Sequence, residues 1–373
     1  MEIDDLLRLS ALVGSDPLLV QASSGNTSIK IDNTLWIKAS GKWLAHATRE
    51  ETLVPVVLAE LRENLRTCTE FSGTGGWVNG SYLRASIETA MHAVLPQRVV
   101  IHVHSVNTIS WAVRLDGPER LAERLAGLKW SWIPYVSSGL PLARAIEAAI
   151  EMRPGTDVFV LANHGLVVCG ADCDAARELL DTVERRLAVQ ARTNSEWDTG
   201  FLAQFGTQSR WNLPESADLH TLATDAVSRR ILAGGVLYPC QAMFLGTKVE
   251  SMPDCEFLPD GVEEFEHERG IPAFGIVEGR GVVTNSRLTA SQRCVLNGLL
   301  QVVQRIDGAA PIRYLSDSEV LNLLNEDAHN YQLCTERNAV PRMQATERVA
   351  PVAEKSSLVI QQDQGPLVHG RAS

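Results

Sequence analysis

The chain has 373 residues, of which 45% are hydrophobic and 21% are charged, and these ordinary globular values exclude a chain that is disordered throughout. Its net charge of −11 argues against binding to nucleic acid or anionic lipid, and no apolar run is long enough to span a membrane. The acidic start, Met-Glu-Ile-Asp-Asp, is unlike a signal peptide, so we expect a cytoplasmic protein whose seven cysteines are mostly buried thiols.

Composition divides the chain into three parts. Residues 1–205 alternate short β-branched strands with helical stretches, which is typical of an α/β domain. Residues 206–216 have the composition of a linker, and residues 217–335 predict a second, smaller α/β domain without an evident role. Residues 338–373 are rich in polar side chains and poor in apolar ones, so we expect a disordered tail.

The apolar patterns also predict the order of helices and strands. In the first part they predict a hairpin of Ile29–Ile31 and Leu35–Lys38, strands at Arg98–His104 and Asp157–Ala162, and helices at Ser81–Leu95, Leu140–Met152 and Asp172–Thr193. In the second part they predict strands at Val236–Leu245 and Phe274–Thr284, and helices at Leu219–Leu232, at Thr289–Ile306 and from Ser316 onward.

Two of the predicted strands end in histidine. His102 and His104 close the first strand, and because side chains alternate along a strand they share one face. His164 follows the second apolar strand. Three neutral imidazoles with an open coordination position are a catalytic Zn²⁺ arrangement. The alternative is a set of hydrogen-bonded core histidines without a metal.

A carboxylate precedes the first histidine strand. Glu88 and His92 are four residues apart in a predicted helix and therefore lie on one of its faces. Glu88 could sit beside the metal as a fourth ligand or act as a general base. The alternative is a solvated glutamate paired with His92.

Two glycine-containing turns precede these residues. They are Ser23-Ser24-Gly25-Asn26 and Lys38-Ala39-Ser40-Gly41-Lys42. Their hydroxyls and backbone N–H groups suit an anion such as phosphate, although Ser-Gly turns are also common outside binding sites. A third stretch, Gly73-Thr74-Gly75-Gly76, lacks the last glycine of a dinucleotide-binding loop, so we do not predict one there.

Taken in order, these pieces resemble the class II aldolases of the fuculose-phosphate and rhamnulose-phosphate type, whose fold is shared by adducin head domains. The resemblance extends over roughly residues 5–200, and its motifs are specific as an ordered set. They are Ser24-Gly25-Asn26-Thr27-Ser28, Lys38-Ala39-Ser40-Gly41, Glu88 with His92, His102-Val103-His104-Ser105 and Asn163-His164-Gly165.

The resemblance implies a three-layer α/β/α domain with a mostly antiparallel central sheet. It implies one Zn²⁺, or another divalent transition metal, per chain, held by His102, His104 and His164. It also implies that Glu88 removes a substrate proton, and that this chain forms a homo-oligomer, as the tetramers of the family do. The implied substrate and phosphate site consists of Ser23, Gly25, Asn26, Ser40, Gly41 and Ser86.

The activity implied is that of a lyase that cleaves or forms a C–C bond in a phosphorylated or acidic sugar through a metal-stabilised enediolate. The sequence departs from the family pattern at Ile87, where the family helix usually carries a second serine. Tyr135 stands near the position of the family tyrosine that protonates the leaving alkoxide, so we expect that role for it. The related pentose-phosphate epimerases use an aspartate in this segment, whereas residues 128–138 contain no acidic residue.

Two other functions remain open. A decarboxylase of a 3-oxo sugar-acid phosphate would use the same four residues. A non-catalytic, adducin-like binding protein would keep the fold without the metal, but the retention of all three histidines and of Glu88 argues against it.

Overall fold

The computed structural model describes residues 2–67, 83–193, 196–205, 210–252, 266–267 and 271–328. The predicted tail and the stretch Gly73-Thr74-Gly75-Gly76 lie outside these ranges. Within them, no helix combines the length and the apolar character needed to cross a bilayer.

A seven-stranded sheet organises the first part of the chain. Its strands are β1 Asn26–Ile31, β2 Thr34–Lys38, β3 Leu53–Val57, β4 Val99–Val103, β5 Trp130–Ile133, β6 Val158–Leu161 and β7 Gly165–Gly170. They lie in the order β3-β2-β1-β4-β7-β6-β5, and all neighbours are antiparallel except β5 and β6. The predicted hairpin is confirmed as β1 and β2, joined at Asp32-Asn33.

Helices cover both faces of this sheet. They are α1 Glu2–Gly14, α2 Leu58–Thr67, α3 Thr89–Val94, α4 Val106–Ala112, α5 Gly117–Arg124, α6 Leu140–Met152 and α7 Cys173–Leu187. Because side chains alternate along β4, Val99 and Ile101 pack with α1 and α7, whereas Val100 packs with α3 and α6. The predicted three-layer α/β/α architecture with a mostly antiparallel sheet is therefore confirmed.

A smaller sheet lies in the second part of the chain. Its strands are β8 Trp211–Asn212, β9 Glu250–Ser251, β10 Phe274–Val277 and β11 Gly281–Asn285, in the order β8-β11-β10-β9. The helices around it are Thr199–Phe205, Thr221–Thr224, Ala226–Ala233, Pro239–Leu245, Ala290–Arg305 and Asp317–Asn322. Two 3₁₀ helices, Leu44–His46 and Ala217–His220, and a π-helical turn, Leu323–Ala328, complete the described elements.

The two parts share apolar packing. Val106, Ile109 and Val113 of the first part are buried in one cluster with Leu299 and Val303 of the second. The helix α4 is thus covered by the helix Ala290–Arg305 on the side away from the main sheet. The division into domains 1–205 and 217–335 stays a prediction.

One predicted helix starts later than expected, and one predicted strand is a helix. The helix predicted from Ser81 begins only at Thr89, because Ala85 forms a β-bridge with Ala39 and Glu88 stands at the helix N-cap. The strand predicted at Val236–Leu245 is a helix from Pro239 onward. Proline sits well at the first helical position because its φ is fixed there and its missing N–H is not needed.

Other predictions were right in type but not in extent. The helix predicted over 219–232 is broken at Asp225, whose carboxylate caps the second piece by accepting from the N–H of Ser228 at 3.1 Å. The strand predicted over 274–284 is the hairpin β10–β11, in which Gly279 takes a φ of +72°. The helix predicted to reach Thr193 ends at Leu187.

Candidate active site

The three predicted histidines meet at one edge of the main sheet. Both β4 and β6 are antiparallel to β7, which lies between them, so their carboxyl ends point to the same edge. His102 and His104 lie at the end of β4, and His164 lies in the turn between β6 and β7. The ring centroids of the three imidazoles are 5.0–5.1 Å apart, and one ring nitrogen from each lies within 4.8 Å of the others.

Glu88 lies against this histidine cluster. Its Oε2 is 3.3 Å from His102 Nε2, and its Oε1 is 3.3 Å from His164 Nε2. None of these three side chains, nor that of His104, is more than 6% exposed. The solvated pairing of Glu88 with His92 that was the alternative is not what the structure has.

The donor set fits a divalent transition metal. His102 Nδ1 lies 3.1 Å from the carbonyl oxygen of Leu166, which can only accept, so this nitrogen carries the proton and Nε2 keeps a free lone pair. His102 Nε2 and Glu88 Oε1 are buried polar atoms without a hydrogen-bond partner in the part of the chain that the structure describes. A cation between the imidazoles would satisfy both atoms.

Burial governs the charge of the cluster. It lowers the pKa of His104 well below the usual value and that of His164 to about 4, so both imidazoles are neutral at neutral pH, as metal ligands must be. Burial alone would raise the pKa of Glu88. Its interactions with His102 and His164, the hydrogen bond from Asn26 and the charge of Lys38 outweigh burial and lower that pKa. Glu88 is therefore a carboxylate.

Asn26 orients Glu88. It begins β1, and it pairs across the sheet with His102. Its Nδ2 donates to Glu88 Oε2 at 2.7 Å and to Ser86 Oγ at 3.1 Å, while its Oδ1 accepts from His92 Nε2. His92 Nδ1 in turn lies 2.6 Å from Ser28 Oγ. This buried network of hydrogen bonds holds one oxygen of Glu88 and leaves the other facing His164.

The glycine-containing turns lie beside this carboxylate. The buried ammonium of Lys38 joins them by donating to the carbonyl oxygens of Ser23 at 2.9 Å and Lys42 at 2.6 Å. The Ser86 N–H donates to the Lys38 carbonyl oxygen at 3.2 Å, so the segment that carries Ser86 lies beside the two turns as a third segment. Burial lowers the pKa of Lys38 to about 7, against the opposing effect of the Glu88 charge.

Both glycines in these turns have left-handed backbones. Gly25 has a φ of +64°, and a Cβ on it would lie 2.7 Å from the carbonyl oxygen of His102. Gly41 has a φ of +73°. The remaining predicted phosphate ligands, Ser23, Ser40 and Ser86, are all buried close by. The structure thus places these predicted site residues beside Glu88 and the three histidines.

Tyr135 packs against side chains of the second part of the chain. Its ring contacts the apolar cluster formed by residues 236–323, and the guanidinium of Arg313 lies 5.3 Å from the ring centroid. Arg313 Nη1 also donates to Asn163 Oδ1 at 2.9 Å, so Tyr135 is joined to the site through the residue that precedes His164. Its role as a proton donor stays a prediction.

Sequence reasoning missed three residues here. Lys38 was quoted only as part of a turn, and alternation along β2 gives no signal of its burial, because it places Lys38 on the half-buried face of Thr34 and Trp36. Cys240 Sγ lies 3.2 Å from His104 Nδ1, and burial raises the pKa of this thiol to about 12. Cys240 and Arg313 are 136 and 150 positions along the chain from His104 and Asn163, their partners in these contacts, and no local pattern could have indicated either contact.

Comparisons with known proteins agree with this geometry. The family profile described as the Class II Aldolase and Adducin N-terminal domain matches residues 5–191, half of the chain. The chain is 26% identical over 185 residues to the L-fuculose phosphate aldolase of Methanococcus maripaludis, which covers 47% of this chain and 88% of the aldolase.

Two other similar proteins match about half of this chain. The uncharacterized oxidoreductase YuxG of Bacillus subtilis is 27% identical over 184 residues, covering 45% of this chain. The chain spans only 26% of that protein's length. The solved N-terminal class II aldolase domain of a conserved protein from Thermoplasma acidophilum is 25% identical, with a TM-score of 0.45, and covers 50% of this chain and 92% of that domain.

Proposed function

The chain belongs to the class II aldolase and adducin family, and from this premise we propose that it is a metal-dependent aldolase, a lyase acting on a phosphorylated or acidic sugar. The observation that carries the proposal is the convergence of three buried imidazoles on one buried carboxylate. The similarity to an L-fuculose phosphate aldolase supports the same reaction class. A purely adducin-like binding role would need neither the imidazoles nor the carboxylate in this arrangement.

His102, His104 and His164 would hold the cation. When bound, a divalent ion such as Zn²⁺ would supply Lewis-acid stabilisation of negative charge that develops on the substrate oxygens. The Leu166 carbonyl oxygen holds a proton on His102 Nδ1, so Nε2 is the nitrogen that would face the cation. We infer one ion per chain, because the described residues bring together one such set of three imidazoles.

Glu88 would be the base that removes the proton next to the substrate carbonyl. Its lowered pKa keeps it ionised at neutral pH. Asn26 holds Oε2 at 2.7 Å, so Oε1 is the oxygen that takes the proton. Carbon–carbon cleavage runs these steps in reverse: the substrate hydroxyl gives up its proton as the C–C bond breaks, and Glu88, in its protonated form, gives a proton to the carbon that this leaves negatively charged.

The substrate phosphate would bind in the cradle formed by the three segments beside Glu88. Lys38 lies behind this cradle as a buried donor that holds two of the turns in place. Ile87 supplies no hydroxyl, so we expect fewer contacts to the phosphate than the family pattern provides, and a carboxylate is an equally suitable anion. The proposed ligands are Ser23, Gly25, Asn26, Ser40, Gly41 and Ser86.

The remaining features of the proposal follow the family. We propose that the protein acts in the cytoplasm, as a homo-oligomer and as a tetramer in particular, in carbohydrate metabolism. Tyr135 is the candidate donor of a proton to the leaving alkoxide. Among the cysteines that the structure describes, Cys169 and Cys240 are buried free thiols, which suits a reducing compartment.

Metal analysis is the first test. We expect about one zinc or similar ion per chain in protein purified without a histidine tag at pH 7.5. The variant His104→Ala should lose this stoichiometric metal, whereas His46→Ala, in the 3₁₀ helix Leu44–His46, should retain it. A His104→Ala protein that still holds one ion per chain would refute the three-histidine assignment.

Substrate assays then separate the aldolase from its sibling reaction. Incubation with ketose 1-phosphates should release dihydroxyacetone phosphate and an aldehyde. Decarboxylation of a 3-oxo sugar-acid phosphate uses the same imidazoles and carboxylate, so carbon dioxide release without aldehyde release would replace the aldolase by the decarboxylase. If the protein binds no metal and releases neither an aldehyde nor carbon dioxide, the binding-protein function is the one that remains.

A further inference from the structure

Two contacts bring the second part of the chain to the histidine cluster. One joins Cys240 to His104, and the other joins Arg313 and Leu237 to Asn163, the residue before His164. Cys240, Leu237 and Arg313 all lie beyond residue 191, where the match to the family domain ends. The core of the aldolase-type domain therefore does not supply these partners itself.

The first contact fixes the orientation of an imidazole. Cys240 is the second residue of the helix Pro239–Leu245 and is fully buried, with its sulfur 3.2 Å from His104 Nδ1. A sulfur that accepts from Nδ1–H leaves Nε2 as the nitrogen available to a cation. This repeats what the Leu166 carbonyl does for His102. Metal-binding histidines are commonly oriented through their second nitrogen in this way.

The second contact fixes the turn that carries His164. Asn163 has a φ of +52°, a backbone conformation that needs support from its surroundings, and its side chain is fully buried. Its Nδ2 donates to the carbonyl oxygens of Leu237 and Arg313, both at 2.8 Å. Its Oδ1 accepts from Arg313 Nη1 at 2.9 Å, and Arg313 Nη2 is held by Glu319 Oε1 at 2.6 Å.

We propose that the second part of the chain completes the metal site, with Cys240 and Arg313 as positioning residues for His104 and His164. The inference rests on the proposed metal-dependent function, because a site without a metal needs no such positioning. It gives residues 236–319 a task that ordinary packing would not require. Both side chains act through a ligand and neither touches the cation.

Zinc affinity tests the Cys240 contact. Competition with a chromophoric chelator should show that Cys240→Ala binds Zn²⁺ at least about tenfold more weakly than the parent, the usual effect of losing such a partner. Cys240→Ser, whose hydroxyl can accept from Nδ1–H, should recover most of the affinity. Cys294→Ala, on the helix Ala290–Arg305, is the matched control and should bind like the parent.

Arg313→Met should weaken Zn²⁺ binding to a similar extent, whereas Arg293→Met should not. The Arg293 guanidinium likewise donates a hydrogen bond within the second part of the chain, but to the backbone carbonyl oxygen of Leu288. Melting temperatures of all variants separate a changed site from a damaged fold: a serine variant that recovers affinity without recovering melting temperature points to orientation. Cobalt-substituted protein adds a spectroscopic measurement, in which the visible d–d bands should shift in Cys240→Ala.

The outcomes distinguish the two proposals. If the parent takes up no zinc, both the metal-dependent function and this inference are refuted. If the parent binds zinc and the Cys240 and Arg313 variants bind within twofold of it, only the inference is refuted. A sulfur-to-cobalt charge-transfer band that disappears in Cys240→Ala would show that Cys240 is itself a ligand, and it would overturn the positioning role.

Discussion

Replacing Glu88 by glutamine removes the base and keeps its shape. The amide oxygen of the new side chain can accept from Asn26 Nδ2, as Oε2 does now at 2.7 Å, so the side chain should stay in place. The amide nitrogen then faces His164, where Oε1 now lies 3.3 Å from Nε2, and cannot take a proton. Loss of a general base costs roughly 10²–10⁴-fold in rate, or about 3–5 kcal/mol in the barrier.

The assay is proton exchange, which isolates the step assigned to Glu88. Dihydroxyacetone phosphate in D₂O should lose its exchangeable proton signal with the parent protein and retain it with Glu88→Gln. Bound metal should remain near one ion per chain, because the three imidazoles are untouched. Glu266→Gln is the control, since this glutamate is hydrogen-bonded to Trp211 Nε1 at 2.8 Å in the second part of the chain. Exchange by Glu88→Gln within tenfold of the parent would refute the assignment.

Two further predictions concern stability. Gly25→Ala should lower the free energy of unfolding by more than about 1–2 kcal/mol, because alanine disfavours a φ of +64° and its Cβ would lie 2.7 Å from the His102 carbonyl oxygen. Gly127→Ala is the control: Gly127 has a φ of +83° but no neighbour within 4 Å, so this variant should lose only the backbone contribution. Equal losses for the two variants in urea titrations would contradict the prediction. Hydrogen bonds from Arg114 lower the pKa of Asp116 to about 2, so this carboxylate stabilises the fold above about pH 4 and loses that effect as pH falls towards 2. Asp116→Asn should therefore reduce stability by about 1 kcal/mol at pH 7, allowing for solvent screening, and a gap that fails to narrow between pH 4 and pH 2 would refute this reasoning.

Local patterns predicted the elements that local physics determines. The β1–β2 hairpin follows from alternating side chains around Asp32-Asn33, and the helix Leu140–Met152 has the bounds that its periodicity indicates. The histidines were recognisable because two apolar strands each end in imidazole. That the carboxyl ends of β4 and β6 lie at the same edge of the sheet depends on the order of the strands, which the sequence alone does not reveal.

Where prediction failed, a distant contact or a capping residue decided the outcome. The helix starts only at Thr89, because Ala85 is held in a β-bridge to Ala39, a partner 46 positions away. Asp225 interrupts a helix because its carboxylate finds two backbone N–H groups to cap. An apolar run such as 236–245 is compatible with strand or helix, and Pro239 was the signal that should have decided between them.

The burial of α4 under the helix Ala290–Arg305 limits how this protein can be shortened. Val106, Ile109 and Val113 have essentially no contact with solvent, because the second part of the chain covers them. Removing the second part of the chain would expose these apolar side chains of α4, a helix that starts two residues after His104. Such an exposed apolar surface invites aggregation. Any ancestor or engineered fragment lacking the second part would need polar replacements at these three positions before it could remain in solution.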